Sequence, residues 1–178
     1  MRDDSAPSWT WLQPNLVVGG RMGPGLTSRL LAEYGIAHVV DVRSEEQDDP
    51  ELLHRHGVEL LLLPTEDHCA VSEEMLASGV EWVTERLARG GRVYIHCEHG
   101  IGRSVLLSWC VLVALGADVR AALEQIKRAR ACASPSPAQI SAMLAFARPR
   151  VASLPSWEEL AKIAYAHLRE RDGERGAQ

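Results

Sequence analysis

The sequence predicts an α/β fold in which a mostly parallel central sheet of four or five strands is flanked by helices. Short apolar stretches alternate with helical stretches over the first two thirds of the chain, and the last third is helical. That order is typical of a parallel sheet built from strand–helix units. The 178 residues are 46% hydrophobic and 24% charged, which suits a single domain with its own core.

The predicted strands are short apolar runs that end at turn residues or at a functional residue. The first ends in a glycine turn, and the third is expected to end at Pro64. The four runs are 15–20 (NLVVGG), 37–43 (AHVVDVR), 58–64 (VELLLLP) and 92–97 (RVYIHC).

Helices fill the intervals between these strands, and capping residues indicate where they begin and end. The stretch 26–35 is expected to begin at a Thr27 or Ser28 cap and to end at Gly35, and 49–57 forms a turn or two. Ser72 opens a helix that runs to the glycine pair at 90–91. Four more helices are predicted at 103–116, near 118–131, at 136–147 and at 157–171.

Two of these helices have features that place them in the domain. The stretch 103–116 is apolar on all sides, which predicts a helix buried in the domain centre. The stretch 157–171 begins with a capping box of Ser156 and Glu159, and its apolar stripe predicts packing on the domain.

The expected organisation is one main domain with a short additional segment at each end. Residues 15–150 form the domain, and 151–171 add the packed C-terminal helix. The extension 1–14 is expected to be partly disordered and the tail 172–178 disordered. Trp9 and Trp11 are interpreted as cover for the core rather than as a ligand platform.

Charge and hydropathy argue against several classes of protein. A formal net charge of −5 disfavours nucleic acid or an anionic membrane surface as the main partner. No apolar run is long enough to cross a bilayer, and the acidic start has no signal-peptide core, so a cytoplasmic protein is expected. In such a compartment the four cysteines are thiols. No helix seam requires a dimer, so a monomer is expected.

The stretch HCEHGIGRS, residues 96–104, places a cysteine at the carboxyl end of a buried strand and an arginine at the start of a buried helix. Ligands of open α/β sheets collect at this edge. Gly100 and Gly102 allow a loop whose backbone N–H groups converge, and the helix N-terminus adds further donors. The sequence therefore predicts a phosphate-binding loop with Cys97 at its floor.

Each residue type in this loop has a chemical reason to be there. The helix N-terminus and Arg103 favour the thiolate of Cys97, which is a good nucleophile toward phosphorus. Arg103 can donate two parallel hydrogen bonds to phosphate, and the Ser104 hydroxyl can donate to the sulfur as it leaves. The other predicted phosphate-binding positions are Glu98, His99, Gly100, Ile101 and Gly102.

HCEHGIGRS resembles the H-C-x-x-G-x-x-R-S/T signature of the cysteine-based protein tyrosine phosphatase superfamily, and the short chain looks like its dual-specificity branch. The resemblance covers about residues 15–147, including VVGGR, AHVVDVRSEE, LLLPTEDH and SPAQISAML. It implies a phosphotyrosine protein phosphatase-like fold, a phosphocysteine intermediate on Cys97, and neither a metal nor another cofactor.

The leaving group needs a proton, and the loop after the third strand offers two carboxylic acids. Asp67 is the expected general acid and base, and the family places its acid in such a loop roughly thirty residues before the cysteine. Glu66 is its rival, and His68 is expected to position one of them. His96 is interpreted as hydrogen-bonded to backbone and orienting the phosphate loop.

The remaining polar residues receive structural interpretations. Glu98 and His99 are expected to face solvent, with Glu98 repelling polyphosphorylated inositides. Arg43 and Glu45 are expected to pair with each other or to hold a loop. Cys69 is interpreted as an ordinary thiol, with a protective disulfide to Cys97 as the alternative. A zinc site is a further alternative, built from His68, Cys69, His96, Cys97 and His99.

The sequence thus predicts a phosphatase for phosphotyrosine, phosphoserine and phosphothreonine in proteins, or another small phosphomonoester. The same chemistry on an inositide, a sugar phosphate or an RNA 5′ end is an alternative. A catalytically inactive phosphate-binding module and a rhodanese-like sulfur carrier are two others.

Overall fold

Five strands form one sheet in the described part of the chain, which is residues 8–23 and 25–168 of a computed structural model. They are β1 (Trp9–Gln13), β2 (Leu16–Gly19), β3 (Ile36–Arg43), β4 (Glu59–Thr65) and β5 (Arg92–His96). Their order across the sheet is β1-β2-β5-β3-β4. Only the pairing of β1 with β2 is antiparallel, so the predicted mostly parallel sheet is confirmed.

Helices cover both faces of this sheet, and the strands alternate their side chains between two apolar clusters. Leu16 and Val18 belong to the larger cluster, whereas Val17 between them belongs to the smaller one. This is the period-two pattern of a strand that is buried on both faces. The helices are α1 (Leu26–Tyr34), α2 (Pro50–Arg55), α3 (Glu73–Ala88), α4 (Arg103–Ala114), α5 (Val119–Ala129), α6 (Pro137–Ala147) and α7 (Trp157–Ala164).

The α4 helix is the central element of the larger layer, as its all-apolar sequence predicts. Every residue from 103 to 113 is buried, and α4 contacts α3, α5, α6 and three strands. The helix is exposed at its C-terminal end, where Ala114 lies at the surface, and its buried N-terminus faces the loop that precedes it. That N-terminus lies at the carboxyl end of β5, directly after the loop 97–102.

The strand β1 was not predicted, because 9–13 was assigned to the N-terminal extension. It pairs with β2 at the edge of the sheet. The half-buried Trp9 packs edge-on against Tyr34 and Tyr94, with ring centroids 4.7 and 5.1 Å apart. Trp11 is 38% exposed. The predicted disorder at 1–7 and 172–178 falls outside the described residues.

Two predicted boundaries differ from those observed. The cap of α1 is Gly25, with φ +75°, so Thr27 and Ser28 lie inside the first turn, and the Ser28 hydroxyl donates to the Gly25 carbonyl. The strand β4 continues one residue past Pro64, which is tolerated because β4 is an edge strand and Pro64 is exposed. The helix α7 spans Trp157–Ala164, with a turn at Tyr165 and helical residues again at 166–168, and the predicted end at 171 lies outside the described residues.

The α7 helix begins with both hydrogen bonds of the predicted capping box between Ser156 and Glu159. Its apolar side packs on α5 and α6. Leu168, which was assigned to the same apolar stripe, is instead 46% exposed. In the described ranges, every helix is too short or too polar to traverse a lipid bilayer.

Candidate active site

The loop 97–102 connects β5 to α4 at the edge of the sheet where β2, β3, β4 and β5 end. Its path depends on two glycines. Gly100 has φ +67° and passes so close to Gly19 that a Cβ atom would overlap the Gly19 carbonyl. A Cβ at Gly102 would lie 2.7 Å from Oε1 of Gln139. Side chains at these two positions would push the loop out of its place.

The five carbonyl groups of residues 98–102 are all bonded from outside the loop. Arg21 N–H donates to the residue 98 carbonyl, Arg130 to those of 99 and 100, and Ser134 N–H to that of 101. The residue 102 carbonyl accepts the first helical bond of α4. By contrast, no described residue accepts a hydrogen bond from the N–H groups of 98–102. A loop with occupied carbonyls and free amides is a ready anion site.

Cys97 lies at the floor of this loop. The residue is 3% exposed and borders a cavity of about 490 Å³. Its Sγ lies 3.3 Å from the Ser104 hydroxyl, which is also 3.3 Å from the Gly19 carbonyl oxygen. The single Ser104 hydrogen can be donated to the Gly19 carbonyl oxygen or to the sulfur, and donation to the sulfur stays a prediction.

Arg103 is buried, with an exposed fraction of 1%, and both terminal nitrogens of its guanidinium are bonded, whereas Nε bonds to none of the described residues. Nη1 and Nη2 donate to the two carboxylate oxygens of Glu45 at 2.7 Å each, and Nη1 also donates to the Thr65 carbonyl. Nε has no hydrogen-bond partner in the described part of the chain, although it is buried. An unpartnered buried donor of a charged group is costly unless a ligand accepts from it.

The contacts of Glu45 and Arg43 differ from the predicted pairing of these two residues. Hydrogen bonds from Arg103 outweigh partial burial and lower the pKa of Glu45 to about 2. Burial alone would lower the pKa of Arg103, but Glu45, Cys97 and Asp67 raise it on balance. Glu45 is thus an Arg103-binding residue that the sequence analysis missed, because 58 residues separate the two.

Arg43 instead lies at the centre of a buried network with three acids. It binds Asp41 at 3.0 Å, Asp48 at 2.9 Å and Glu98 at 3.2 Å. Glu98 also binds Arg21 at 3.2 Å and is only 24% exposed. The expectation that Glu98 faces solvent is therefore wrong, because two arginines hold its carboxylate. Its charge is only partly offset, because Arg43 also binds Asp41 and Asp48.

His96 belongs to the same network. Its Nε2 lies 2.7 Å from the Asp48 carboxylate, so the expected bond to backbone is replaced by one to a side chain. The residue is fully buried, and Nδ1 has no partner among the described residues. His96 precedes Cys97 directly, so this bond fixes the strand end from which the phosphate loop begins.

Asp67 lies in the turn between β4 and α3 and borders the same cavity as Cys97. Its Oδ1 is 3.1 Å from Nη2 of Arg103, and its Oδ2 is 3.5 Å from Nε2 of His68. The side chain is 51% exposed. Glu66 does not border the cavity in the described structure, so the geometry favours Asp67 as the acid.

The cavity has polar residues at its floor and an apolar wall. The wall consists of Ile101, Pro137, Tyr165 and Leu168, of which the last two follow α7. The Tyr165 hydroxyl donates to the Pro135 carbonyl at 2.8 Å, which fixes its ring. Asp67, His68, Cys97, His99, Gly102, Ser134, Ser136 and Gln139 complete the lining.

The zinc alternative is not supported by this arrangement. Within the described ranges, the group of His, Cys, Asp and Glu side chains close enough to share an ion is Asp41, Asp48 and His96. Arg43 already donates to both of those carboxylates. Cys69 is an exposed thiol and Cys97 a buried one, and neither is in a disulfide. A disulfide formed between them under oxidation stays a prediction.

Comparison with known proteins relates this site to one family. The sequence model described as dual specificity phosphatase, catalytic domain, matches residues 23–149. Phosphatidylglycerophosphate phosphatase PTPMT1 of Arabidopsis thaliana is 31% identical over 86 residues. That alignment covers 47% of this chain and 26% of the relative, so the matched part spans about a quarter of the relative's length.

Several solved structures have the same fold. Tk-PTP in the active form superposes with a TM-score of 0.74 at 25% identity, over 82% of this chain and 99% of that chain. PTPMT1 in complex with PI(5)P gives 0.75 at 21% identity, over 80% and 96% of the two chains. Human DUSP28 gives 0.65 at 22% identity, over 81% and 95%. The last two likenesses concern the fold alone.

Proposed function

The chain belongs to the dual-specificity phosphatase family, and from that premise we propose that it hydrolyses phosphate monoesters through a phosphocysteine intermediate on Cys97. One observation carries this proposal. The loop 98–102 directly after the buried Cys97 has amides without an acceptor among the described residues, and Arg103, which follows it, has a buried donor with no partner there. A tetrahedral dianion with several acceptor oxygens satisfies all of these donors at once.

In the first step, the Cys97 thiolate attacks phosphorus opposite the ester oxygen. The S–P bond forms as the P–O bond to the leaving group breaks, and Asp67 gives its proton to the departing oxygen. The acid enters this step protonated and leaves it as a carboxylate. General acid catalysis of this kind contributes on the order of a hundredfold or more to the rate.

In the second step, water cleaves the phosphocysteine. The Asp67 carboxylate takes a proton from the attacking water, the P–O bond to that water forms, and the S–P bond breaks. The Ser104 hydroxyl, 3.3 Å from Sγ, donates to the sulfur as negative charge returns to it. Inorganic phosphate leaves, and Asp67 is protonated again for the next turnover.

Charge accumulates on the equatorial phosphate oxygens in both transition states. The amides of 98–102 and the Arg103 guanidinium are fixed before substrate arrives, so they stabilise that charge without reorganisation. Glu45 supports this role because it holds Nη1 and Nη2 of Arg103 and leaves Nε for phosphate. These contacts support the assignment of Arg103 as the phosphate-binding arginine.

For the substrate we propose phosphorylated side chains of proteins. The cavity combines one phosphate cup with an apolar wall, and its described lining contains neither lysine nor arginine. A single phosphate on an apolar or aromatic carbon suits that surface better than a polyphosphorylated headgroup. A lipid phosphate is the second candidate, because the Arabidopsis relative is a phosphatidylglycerophosphate phosphatase.

The same geometry argues against two alternatives, an inactive phosphate-binding module and a rhodanese-like sulfur carrier. An inactive phosphate-binding module would need neither a thiol at the floor nor an acid at the rim of the cavity, whereas Cys97 and Asp67 both border it. A sulfur carrier would not need Asp67 beside Arg103 at 3.1 Å. Both facts support a hydrolase with two chemical steps.

Hydrolysis of p-nitrophenyl phosphate by the parent chain, Cys97→Ser and Asp67→Asn tests the proposal. We expect Cys97→Ser to abolish turnover, vanadate to inhibit the parent, and a chelator to have no effect. Asp67→Asn is expected to slow poor leaving groups most, because these need the proton. Full activity in Cys97→Ser would end the nucleophile assignment. A panel of phosphopeptides, phosphatidylglycerophosphate and sugar phosphates then separates the substrate candidates.

A further inference from the structure

One segment between α5 and the first turn of α6 contacts both functional loops. Residues 130–139, called the loop clamp from here on, donate hydrogen bonds to carbonyls of the phosphate loop and of the turn that carries Asp67. We propose that Ser136 and Gln139 of the loop clamp are positioning residues for the general acid Asp67. This inference rests on the proposed function, because it assumes that Asp67 is the acid.

The first half of the loop clamp holds the phosphate loop. Arg130 is buried, and its Nε and Nη2 donate to the carbonyls of Gly100 at 2.6 Å and His99 at 3.0 Å. The Ser134 N–H donates to the Ile101 carbonyl at 2.8 Å. Three consecutive carbonyls of the phosphate loop therefore point toward the clamp.

The second half holds the acid turn. The Ser136 hydroxyl donates to the His68 carbonyl at 2.9 Å. The Gln139 side-chain amide donates to the Cys69 carbonyl at 2.8 Å. These are the two residues that follow Asp67, so both bonds act directly on the turn that aims its carboxyl group.

Both side chains are fixed by a second bond within α6. Ser136 is the N-cap of α6 and accepts from Gln139 N–H at 3.3 Å, while Ser136 N–H donates to Gln139 Oε1 at 2.8 Å. Gln139 is 1% exposed and lies against Gly102 of the phosphate loop. The capping box thus sets the distance between the acid turn and the nucleophile loop.

The acid turn has need of such support. Asp67 is half-exposed, and His68 has a φ of +62°, which a non-glycine residue adopts only when its surroundings enforce it. The turn itself has one backbone bond, from Cys69 N–H to the Glu66 carbonyl. Without the bonds from Ser136 and Gln139, the strained residue can relax and carry Asp67 away from Arg103.

The test compares Ser136→Ala and Gln139→Met with the control Ser141→Ala. Ser141 lies on α6 as well, but its hydroxyl donates to the Pro137 carbonyl of its own helix. With phenyl phosphate, a poor leaving group, we expect kcat/KM, which reports the first step alone, to fall about tenfold in both clamp variants, a part of the whole acid contribution. With p-nitrophenyl phosphate the loss should be much smaller, and the control should match the parent on both substrates.

A double-mutant cycle then combines Ser136→Ala and Gln139→Met, each in turn, with Asp67→Asn. If Ser136 and Gln139 act through Asp67, they cause no further loss there. An equal loss with and without Asp67, or equal losses on both substrates, would overturn the proposal. Ser136→Thr keeps both the helix cap and the hydroxyl donor to the His68 carbonyl. It should therefore keep the kcat/KM of the parent with phenyl phosphate, and a tenfold loss in this variant would count against the proposal.

The outcomes separate this inference from the proposed function. If Cys97→Ser loses all turnover but the Ser136 and Gln139 substitutions cost as much in the Asp67→Asn background as in the parent, only the positioning role is contradicted. Full turnover in Cys97→Ser would contradict the proposed function itself, whatever the clamp variants do.

Discussion

Gly100→Ala is expected to disable the phosphate loop, and the structure allows its cost to be separated into two parts. Gly100 has φ +67°, so any side chain there adopts a left-handed backbone at a cost of about 1–2 kcal/mol. The new Cβ would also overlap the Gly19 carbonyl carbon and lie 2.6 Å from both the Gly19 carbonyl oxygen and Arg130 Nη2. Overpacking of this kind costs about 1–3 kcal/mol.

Gly90→Ala is the matched control because it has the strain without the overlap. Gly90 has φ +81° and no heavy atom within 4 Å of the Cβ position. It lies between α3 and β5, at the opposite end of β5 from the phosphate loop. We expect Gly90→Ala to lower the free energy of unfolding by about 1–2 kcal/mol and to leave kcat unchanged.

Urea unfolding and hydrolysis of p-nitrophenyl phosphate, measured on both variants, check this account. Gly100→Ala should lose about 2–5 kcal/mol of unfolding free energy, since strain and overlap both apply. It should also lose most of its kcat/KM and bind vanadate weakly, because the loop must move to admit the methyl group. If the two variants have equal stabilities and equal activities, the packing of Gly100 against Gly19 is not what holds the loop.

Three further predictions follow from single contacts. Glu45→Gln should raise KM by weakening the hold on Arg103. The pKa of Glu45 is lowered from 4.5 to about 2. Urea titrations should therefore show that the free energy of unfolding of the parent falls by up to about 1 kcal/mol more than that of this variant as the pH falls from 5 to 2. Arg130→Met should cost about 2–4 kcal/mol of unfolding free energy by calorimetry, since two charge-assisted bonds to carbonyls are lost, and Arg130→Lys should recover part of it. Cys69→Ser should leave turnover of the reduced protein unchanged. If Cys69 protects Cys97 by forming a disulfide, adding a thiol after peroxide treatment should restore activity in the parent but not in this variant.

The part of the site that could be predicted from sequence is local in the chain. Cys97, the glycines and Arg103 lie within seven residues, and a buried strand and a buried helix enclose them. Such a stretch can be predicted locally, because the strand end, the loop and the helix N-terminus follow one another directly in the chain. The alternation of strands and helices likewise predicted the sheet.

The contacts that the sequence analysis missed join residues far apart in the chain. Glu45 lies in the acidic stretch SEEQDD, which reads as a solvated loop, yet it binds Arg103 58 residues later. Arg130 ends the basic run KRAR, which reads as the polar face of a helix, yet it is buried against the phosphate loop. Only the tertiary fold distinguishes these charged residues from their exposed neighbours.

The strand β1 was missed for a related reason. The stretch WTWLQ is short, and its pairing depends on β2, which follows after a two-residue turn. Its aromatic ring at Trp9 is interpreted correctly as core cover, since it packs on Tyr34 and Tyr94. An edge strand is stabilised by pairing with the neighbouring strand, and the residues of the edge strand alone do not indicate this pairing.

The most direct measurement is to trap the covalent intermediate. Asp67→Asn is mixed with an aryl phosphate, quenched in acid within the first turnovers, digested and analysed by mass spectrometry. The account predicts one phosphoryl group on the peptide that contains Cys97, bound through sulfur and absent from Cys97→Ser. Phosphate found on another residue, or rapid turnover without any phosphorylated peptide, would contradict it.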